Sequence, residues 1–118
     1  MIRIICFDID DTICTTSKKK YFSAKPKVKV IKKINELYDK GYIIKLFTSR
    51  FMGRNNENVS GAKKQGFKKT QKQLKKWNLK YHNLIFGKPS FDLFVDDKSI
   101  NFDKNWVKKI DKHLLKQK

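Results

Sequence analysis

The sequence has few acidic residues, few cysteines and few arginines, and it lacks a long apolar segment. Eleven Asp and Glu residues stand against 29 Lys and Arg residues, which gives a formal net charge of +18. No apolar run approaches the roughly 20 residues that a membrane-spanning helix needs. The opening MIRIICF is too short, and too soon followed by acids, for a secretory signal. We therefore expect a cytoplasmic protein.

The two cysteines, Cys6 and Cys14, are too few for a disulfide framework. Neither has neighbours of the kind that form a zinc site. We expect Cys6 to be a small core residue and Cys14 to lie in a loop.

The length predicts one domain that spans residues 1–118. A hydrophobic fraction of 39% and 15 aromatic residues favour a folded chain over a disordered one.

Lysine carries almost all of the positive charge, because arginine occurs only at Arg3, Arg50 and Arg54. Arginine is the better side chain for binding phosphates and bases, and the lysines are scattered along the chain. A nucleic-acid partner is therefore an alternative that the sequence does not favour. The simpler interpretation is a solvated lysine surface that also attracts small anionic substrates.

Apolar periodicity and turn residues predict alternating strands and helices. A hairpin is expected within 13–25 and a long loop over 51–67. One helix is expected from Pro26 to a C-cap at Gly41, and another from a capping box of Thr70 and Gln73. An amphipathic helix is expected from Asn101 to the end of the chain. The predicted strands are 2–7, 42–48, 82–87 and 91–97. This order is typical of an α/β fold with a mainly parallel sheet.

Polar residues follow the carboxyl end of each predicted strand. Because ligands of open parallel sheets bind beyond those ends, we expect these residues to converge on one site. They are Asp8 and Asp10 after strand one, Thr48, Ser49 and Arg50 after strand two, Lys88 after strand three, and Asp96 and Asp97 after strand four.

Three of the scarce acids, Asp8, Asp10 and Asp11, are crowded into four positions, so a cation is expected beside them. Carboxylates from two strands predict a Mg²⁺ site. A free aspartate can act as a nucleophile and a second can serve as general acid and base. Taken alone, DIDDT is an acidic turn. It is not an EF-hand, because the twelfth position of such a loop would be Lys19.

These residues resemble the motifs of the haloacid dehalogenase-like (HAD) phosphohydrolase superfamily, with CFDIDDT, IIKLFT, FGKP and LFVDD standing where its four motifs would stand. The resemblance implies a three-layer Rossmann-like domain without a cap. It implies Asp8 as nucleophile and metal ligand, and Asp10 as acid and base with its carbonyl on the metal. It further implies that Thr48 and Lys88 bind the phosphoryl group, and that Asp96 and Asp97 complete the Mg²⁺ site.

A finer resemblance is to small phosphatases of bacterial capsule and lipopolysaccharide biosynthesis, which implies a phosphorylated sugar as substrate. In that interpretation Ser49, Arg50, Arg54 and Asn55 lie near the pocket mouth and contact substrate. The alternative is that they belong to a flexible surface loop. Capless members often act on large substrates or use a neighbouring subunit as a lid, so a homo-oligomer is a further expectation.

Two other functions stay open at this point. One is a phosphatase for nucleotides or nucleic-acid ends, which would use the positive charge. The other is a non-catalytic domain that binds a phosphorylated ligand or a partner chain. The presence of both Asp8 and Asp10 argues against the latter.

Overall fold

A computed structural model of the chain describes residues 2–116. The last two residues of the predicted final helix, 117 and 118, lie outside the described residues. The strands are β1 (Ile4–Phe7), β2 (Cys14–Thr15), β3 (Lys25–Pro26), β4 (Ile43–Thr48) and β5 (Asn83–Phe86). The helices are α1 (Val28–Asp39), α2 (Val59–Lys76) and α3 (Trp106–Lys116).

The main sheet is parallel, as the alternation of strands and helices predicts. Its strand order is β1-β4-β5, with β4 in the middle and parallel to both neighbours. The carboxyl ends of all three strands therefore lie at one edge. Strands β2 and β3 pair antiparallel, which confirms the small hairpin expected over 13–25.

One face of this sheet is buried and the other is largely open. The buried face packs with α1, α2 and α3 in a common core, to which β1 contributes Ile5 and Phe7, and β4 contributes Ile44 and Leu46. On the opposite face Ile4 is 54% exposed and Ile85 is 39% exposed. The described residues thus form an α/β domain of two layers, and the expected third layer is not confirmed.

Helix α1 has the predicted core face but begins two residues later than expected. Val30, Ile31, Ile34 and Leu37 are buried at helical spacing. Pro26 pairs in β3 instead of opening the helix. Gly41, with a φ of +98°, follows the last turn and its N–H donates to the Tyr38 carbonyl, which confirms the predicted glycine cap.

Helix α2 begins well before the predicted start at Thr70. Its N-cap is Asn58, whose side-chain oxygen accepts the Gly61 N–H at 2.8 Å. Residues 59–67 are therefore helical instead of belonging to the expected loop. Thr70 and Gln73 face inward, where their side chains accept hydrogen bonds from Arg50, so the capping box was wrong.

The predicted fourth strand over 91–97 is not present in the structure. This segment is in an irregular conformation, with Leu93 81% and Val95 87% exposed. Strand β1 is consequently an edge strand. Apolar alternation indicates that a segment suits a pleated surface, but a strand forms only where a neighbour supplies main-chain partners.

Both cysteine predictions were wrong. Cys14 is fully buried in β2, whereas Cys6 is exposed because it lies on the open face of the sheet. Among the described residues, no helix is both long and apolar enough to cross a membrane.

Candidate active site

The carboxyl edge of the sheet brings together residues from all three strands. Asp8 and Asp10 follow β1, Thr48 ends β4, and Lys88 follows β5. The Lys88 N–H donates to the Thr48 carbonyl at 3.1 Å, which ties the ends of β4 and β5 together. Gly87, whose φ is +107°, supplies the turn that brings Lys88 back over the edge. The convergence expected from the strand ends is thus present for these four residues.

The Asp8 carboxylate faces the Lys88 ammonium group. Asp8 Oδ1 lies 3.8 Å from Lys88 Nζ, and the Asp8 side chain is 34% exposed. Burial raises the pKa of Asp8, while the Lys88 charge opposes that rise. Lys88 is in turn held over the rings of Phe91 and Phe94, at 5.4 and 5.3 Å from their centroids. The site therefore holds a partly desolvated carboxylate beside a fixed cation.

The Asp10 carboxylate is held by Arg50 in a bidentate pair. Arg50 Nε donates to Oδ2 and Nη2 to Oδ1, both at 2.9 Å. The Thr16 hydroxyl also donates to Oδ1, at 2.5 Å. Because Oδ1 accepts several donors and Oδ2 accepts only Arg50 Nε among the described residues, Oδ2 is the oxygen with a lone pair left for a further partner.

Arg50 itself is fully buried and fully engaged. Its Nη1 donates to Thr70 at 3.3 Å and to Gln73 at 2.6 Å, and its guanidinium lies 5.1 Å from the Tyr21 ring centroid. This position differs from the expected one, in which Arg50 would reach substrate at a pocket mouth or lie in a flexible loop. The physical reason is the neighbouring acid: a buried guanidinium is stable where a carboxylate neutralises it.

Thr48 is completely buried at the end of β4, with its side chain on the core face of the sheet. Its hydroxyl oxygen accepts the Arg50 N–H at 3.1 Å. Thr48 thus shapes the turn that leads from β4 into Arg50.

The other predicted contact residues occupy the loop after β4. Ser49 is half-buried, and its carbonyl accepts the Met52 N–H. Asn55 donates to the Phe51 carbonyl at 2.7 Å and to Gln65 at 2.9 Å, so it braces the loop against α2. Arg54 is exposed and is the member of this group that is free to meet a ligand.

Asp96 and Asp97 lie on the exposed irregular segment, and the structure does not assemble them with Asp8 into a metal site. Asp96 Oδ1 accepts the Lys98 N–H in a local turn at 2.9 Å. Within residues 2–116, no group of three or more His, Cys, Asp or Glu side chains is arranged to hold a metal ion. Asp8 supplies a partly exposed carboxylate at the sheet edge, and a carboxylate is a ligand that Mg²⁺ favours.

Sequence reasoning missed the pairing of Arg50 with Asp10, and the aromatic cover of Tyr21 and Phe22 over that pair. One signal was available. Arg50 is one of only three arginines in a lysine-rich chain, and it directly follows a strand that ends at the predicted site. Lysine cannot replace arginine as the bidentate partner of a carboxylate, so a rare arginine at this position indicates such a contact.

Comparison with known proteins identifies a shared fold without a function. No protein-family model matches the chain, and no curated protein matches it significantly. A crystal structure of a target protein from Vibrio cholerae is similar to it, with a TM-score of 0.79 at 19% sequence identity. The similarity covers 96% of this chain and 99% of that one. At this identity the likeness establishes the α/β fold alone.

Proposed function

We propose that this protein is a Mg²⁺-dependent phosphomonoesterase of the HAD type that forms an aspartyl-phosphate on Asp8. The observation that carries the proposal is the Asp8 carboxylate, half-buried at the carboxyl edge of a parallel sheet with the Lys88 ammonium 3.8 Å away. A phosphatase site must hold a nucleophile beside positive charge that stabilises the transferring phosphoryl group. Lys88 supplies that charge.

Asp10 and Arg50 complete the proposed chemistry. Asp8 attacks phosphorus, and Asp10 gives a proton to the departing alkoxide. Asp10 then accepts a proton from the water that hydrolyses the acyl phosphate. The bidentate contact with Arg50 fixes the orientation of Asp10 and leaves Oδ2 able to take part.

The proposal also includes a fourth strand at the edge of the main sheet, beside β1. In it, residues 91–97, which are irregular in the structure, would pair with the outer edge of β1 as a fourth parallel strand when Mg²⁺ is bound. Asp8, the Asp10 carbonyl, Asp96 and Asp97 would then be the residues that hold Mg²⁺, and the ion would neutralise charge on the bound phosphate. The exposed Leu93 and Val95 and the edge position of β1 support this arrangement, because apolar side chains gain free energy when they leave water.

The first experiment measures phosphate release from a panel of sugar phosphates, nucleotides and a 3′-phosphorylated oligonucleotide. Each assay is run with Mg²⁺, with EDTA and with Asp8→Asn. The matched control is Asp11→Asn, since Asp11 is an exposed neighbour whose carboxylate accepts the Thr16 N–H. Turnover that needs Mg²⁺ and Asp8, but not Asp11, is expected. Turnover that survives in Asp8→Asn would contradict the proposal.

A second experiment tests the metal site without relying on activity. Hydrogen exchange of the main-chain amides in 91–97 should slow when Mg²⁺ is added, because pairing with β1 protects them. Asp96→Asn should remove this protection, and Asp92→Asn, in the same segment, should not. Equal exchange with and without Mg²⁺ would contradict the proposed fourth strand.

The substrate proposed first is a phosphorylated sugar of capsule or lipopolysaccharide biosynthesis in the cytoplasm, as the sequence resemblance implies. A specific feature favours a second candidate, a nucleotide or nucleic-acid end. Helix α2 carries seven lysines and no acidic residue over Val59–Lys76, which makes one helix strongly basic. Turnover confined to the oligonucleotide would favour this second candidate.

A further inference from the structure

A basic and aromatic cleft lies beside the proposed active site. It has a volume of about 400 Å³ and is formed by residues 19–23, the loop after β4 and helix α2. Its cationic residues are Lys19, Lys20, Arg54 and Lys69. Among residues 2–116, no acidic side chain lines it. Four positive charges around one concavity repel each other unless an anion lies among them.

The Arg54 guanidinium is fixed at the cleft by two aromatic rings and one hydrogen bond. It lies 5.4 Å from the ring centroid of Tyr21 and 5.1 Å from that of Phe51. Nη2 donates to the Lys19 carbonyl at 3.0 Å. Within residues 2–116 its remaining N–H groups have no protein acceptor, so an exposed but fixed guanidinium can bind an oxyanion at little further cost in side-chain entropy.

The turn that carries two of the lysines is strained. Lys18 and Lys19 have φ values of +50° and +56°, and the Lys20 N–H donates to the Ser17 carbonyl at 2.9 Å. Turns with two such residues favour glycine or asparagine, and lysine gives up free energy there. Strained backbone conformations cluster at ligand-binding positions. In this protein the strained turn places Lys19 and Lys20 at the rim of the cleft.

The wall of the cleft and the proposed catalytic residue Asp10 both contact Arg50. Tyr21 and Phe22, which form part of the cleft, cover the Arg50 guanidinium at 5.1 and 5.9 Å. The other edge of that guanidinium holds Asp10. A ligand in the cleft is therefore separated from Asp10 by these two rings and by the Arg50 guanidinium that they cover.

We propose that the cleft binds a second oxyanion of the substrate, so that the enzyme prefers small phosphorylated molecules that carry a further carboxylate or phosphate. This inference rests on the proposed phosphatase function. The volume of the cleft suits a small molecule, and Arg54 with Lys69 supplies the contacts to the second anion.

The test compares substrates that differ by one oxyanion. The pairs are 6-phosphogluconate with glucose 6-phosphate, and fructose 1,6-bisphosphate with fructose 6-phosphate. At least one doubly anionic member should have a kcat/KM about tenfold higher, as expected for one added charge-assisted hydrogen bond. Arg54→Ala and Lys69→Ala should remove that preference through KM. Lys32→Ala is the matched control. This substitution removes the same charge, but Lys32 is exposed on α1 and lies away from the cleft.

Calorimetric titration of Asp8→Asn protein with the same four compounds separates this inference from the proposed function. Tighter binding of a doubly anionic compound, lost in Arg54→Ala, would support the cleft even if no compound is hydrolysed by the wild-type chain. Equal binding and equal turnover within both pairs would overturn the inference while leaving a phosphatase intact. It would also be overturned if none of the four compounds binds, or if Arg54→Ala leaves the binding of the doubly anionic compounds unchanged.

Discussion

At the scale of single residues, two ion pairs set the charge of the candidate site, and they differ in burial. Arg50 has no exposed side-chain surface, and it contacts Asp10 in two places. Lys88 and Asp8 are closer to solvent and lie 3.8 Å apart. The first pair is a fixed structural unit, whereas the second is partly open to solvent, from which a phosphate can approach both of its members.

Replacement of Asp8 by Asn should inactivate the protein and stabilise its fold at neutral pH. Removal of a nucleophile costs at least about 1,000-fold in kcat. Burial is the largest cause of the raised pKa of Asp8. The native state therefore binds a proton on the Asp8 carboxylate more readily than the unfolded state does. The stability due to Asp8 therefore falls as pH rises from its ordinary pKa of about 4 to the raised value.

The measurement is the melting temperature of wild type and Asp8→Asn across pH. The variant should melt higher above this pH window, and the difference should vanish below it. Asp11→Asn, which removes a neighbouring exposed carboxylate, is measured alongside as the control. A lower melting temperature for Asp8→Asn at pH 7 would contradict this prediction. It would mean that losing the ion pair with Lys88 costs more free energy than is gained by no longer burying the Asp8 charge.

Replacement of Arg50 by Lys should destabilise the protein by roughly 3 kcal/mol, because one ammonium cannot hold both oxygens of Asp10 while also binding Thr70 and Gln73. Urea unfolding measures this free energy. Arg54→Lys is the matched control, with an expected change of about 0.5 kcal/mol or less for an exposed side chain. Equal unfolding free energies for the two variants would contradict a structural role for Arg50.

At the scale of elements, helix α2 packs tightly against the loop after β4 at Gly66. Phe51 has a φ of +65°, a conformation that a bulky residue rarely adopts. Its ring lies against Gly66, where an added Cβ would overlap Cδ2 and Cε2 of the ring. The close approach of α2 to this loop positions Gln73 and Thr70 against Arg50.

Gly66→Ala should therefore destabilise the protein by about 1–3 kcal/mol through overpacking, even though alanine is the better helix former by about 1 kcal/mol. Thermal unfolding followed by circular dichroism measures the change. Gly53→Ala provides the control, since a Cβ there meets nothing closer than Lys19 Nζ at 3.8 Å. A more stable Gly66→Ala variant would show that the Phe51 ring can move away freely.

The C-terminal end of α2 offers a second test at this scale. Asn78 has a φ of +58°, and the Leu79 N–H donates to the Leu74 carbonyl at 3.1 Å, so Asn78 takes the left-handed position that ends the helix. Asn78→Ala should cost about 1 kcal/mol, while Asn78→Gly should change stability by less than about 0.5 kcal/mol. Chemical denaturation of both variants measures the difference. Equal values would mean that the side chain does not set this cap.

At the scale of the whole molecule, the net charge of +18 acts against compactness. Most of the lysines are exposed, and α2 alone concentrates seven of them. The surface also exposes apolar side chains, both on the open face of the sheet and in segment 91–97. Strong positive charge and exposed apolar area therefore occur together.

Sodium chloride should raise the melting temperature by several degrees between about 0.05 and 0.5 M, because salt screens repulsion between lysines. Scanning calorimetry measures the slope against salt concentration. A triple variant, Lys64→Gln, Lys68→Gln and Lys72→Gln, should show a shallower slope, since it removes three exposed charges from α2. The same slope in both proteins would place the repulsion elsewhere on the surface.

The sequence by itself determined the parallel α/β framework and the meeting of Asp8, Asp10, Thr48 and Lys88, because strand ends and periodicity are local and parallel strands share an edge. It also determined the glycine cap of α1. Only the tertiary structure decided that Arg50 neutralises Asp10 across 40 positions of sequence, that α2 begins at Val59 after the Asn58 cap, and that one sheet face is open. The physical reason is that burial and ion pairing depend on neighbours brought together by packing, which local patterns do not encode.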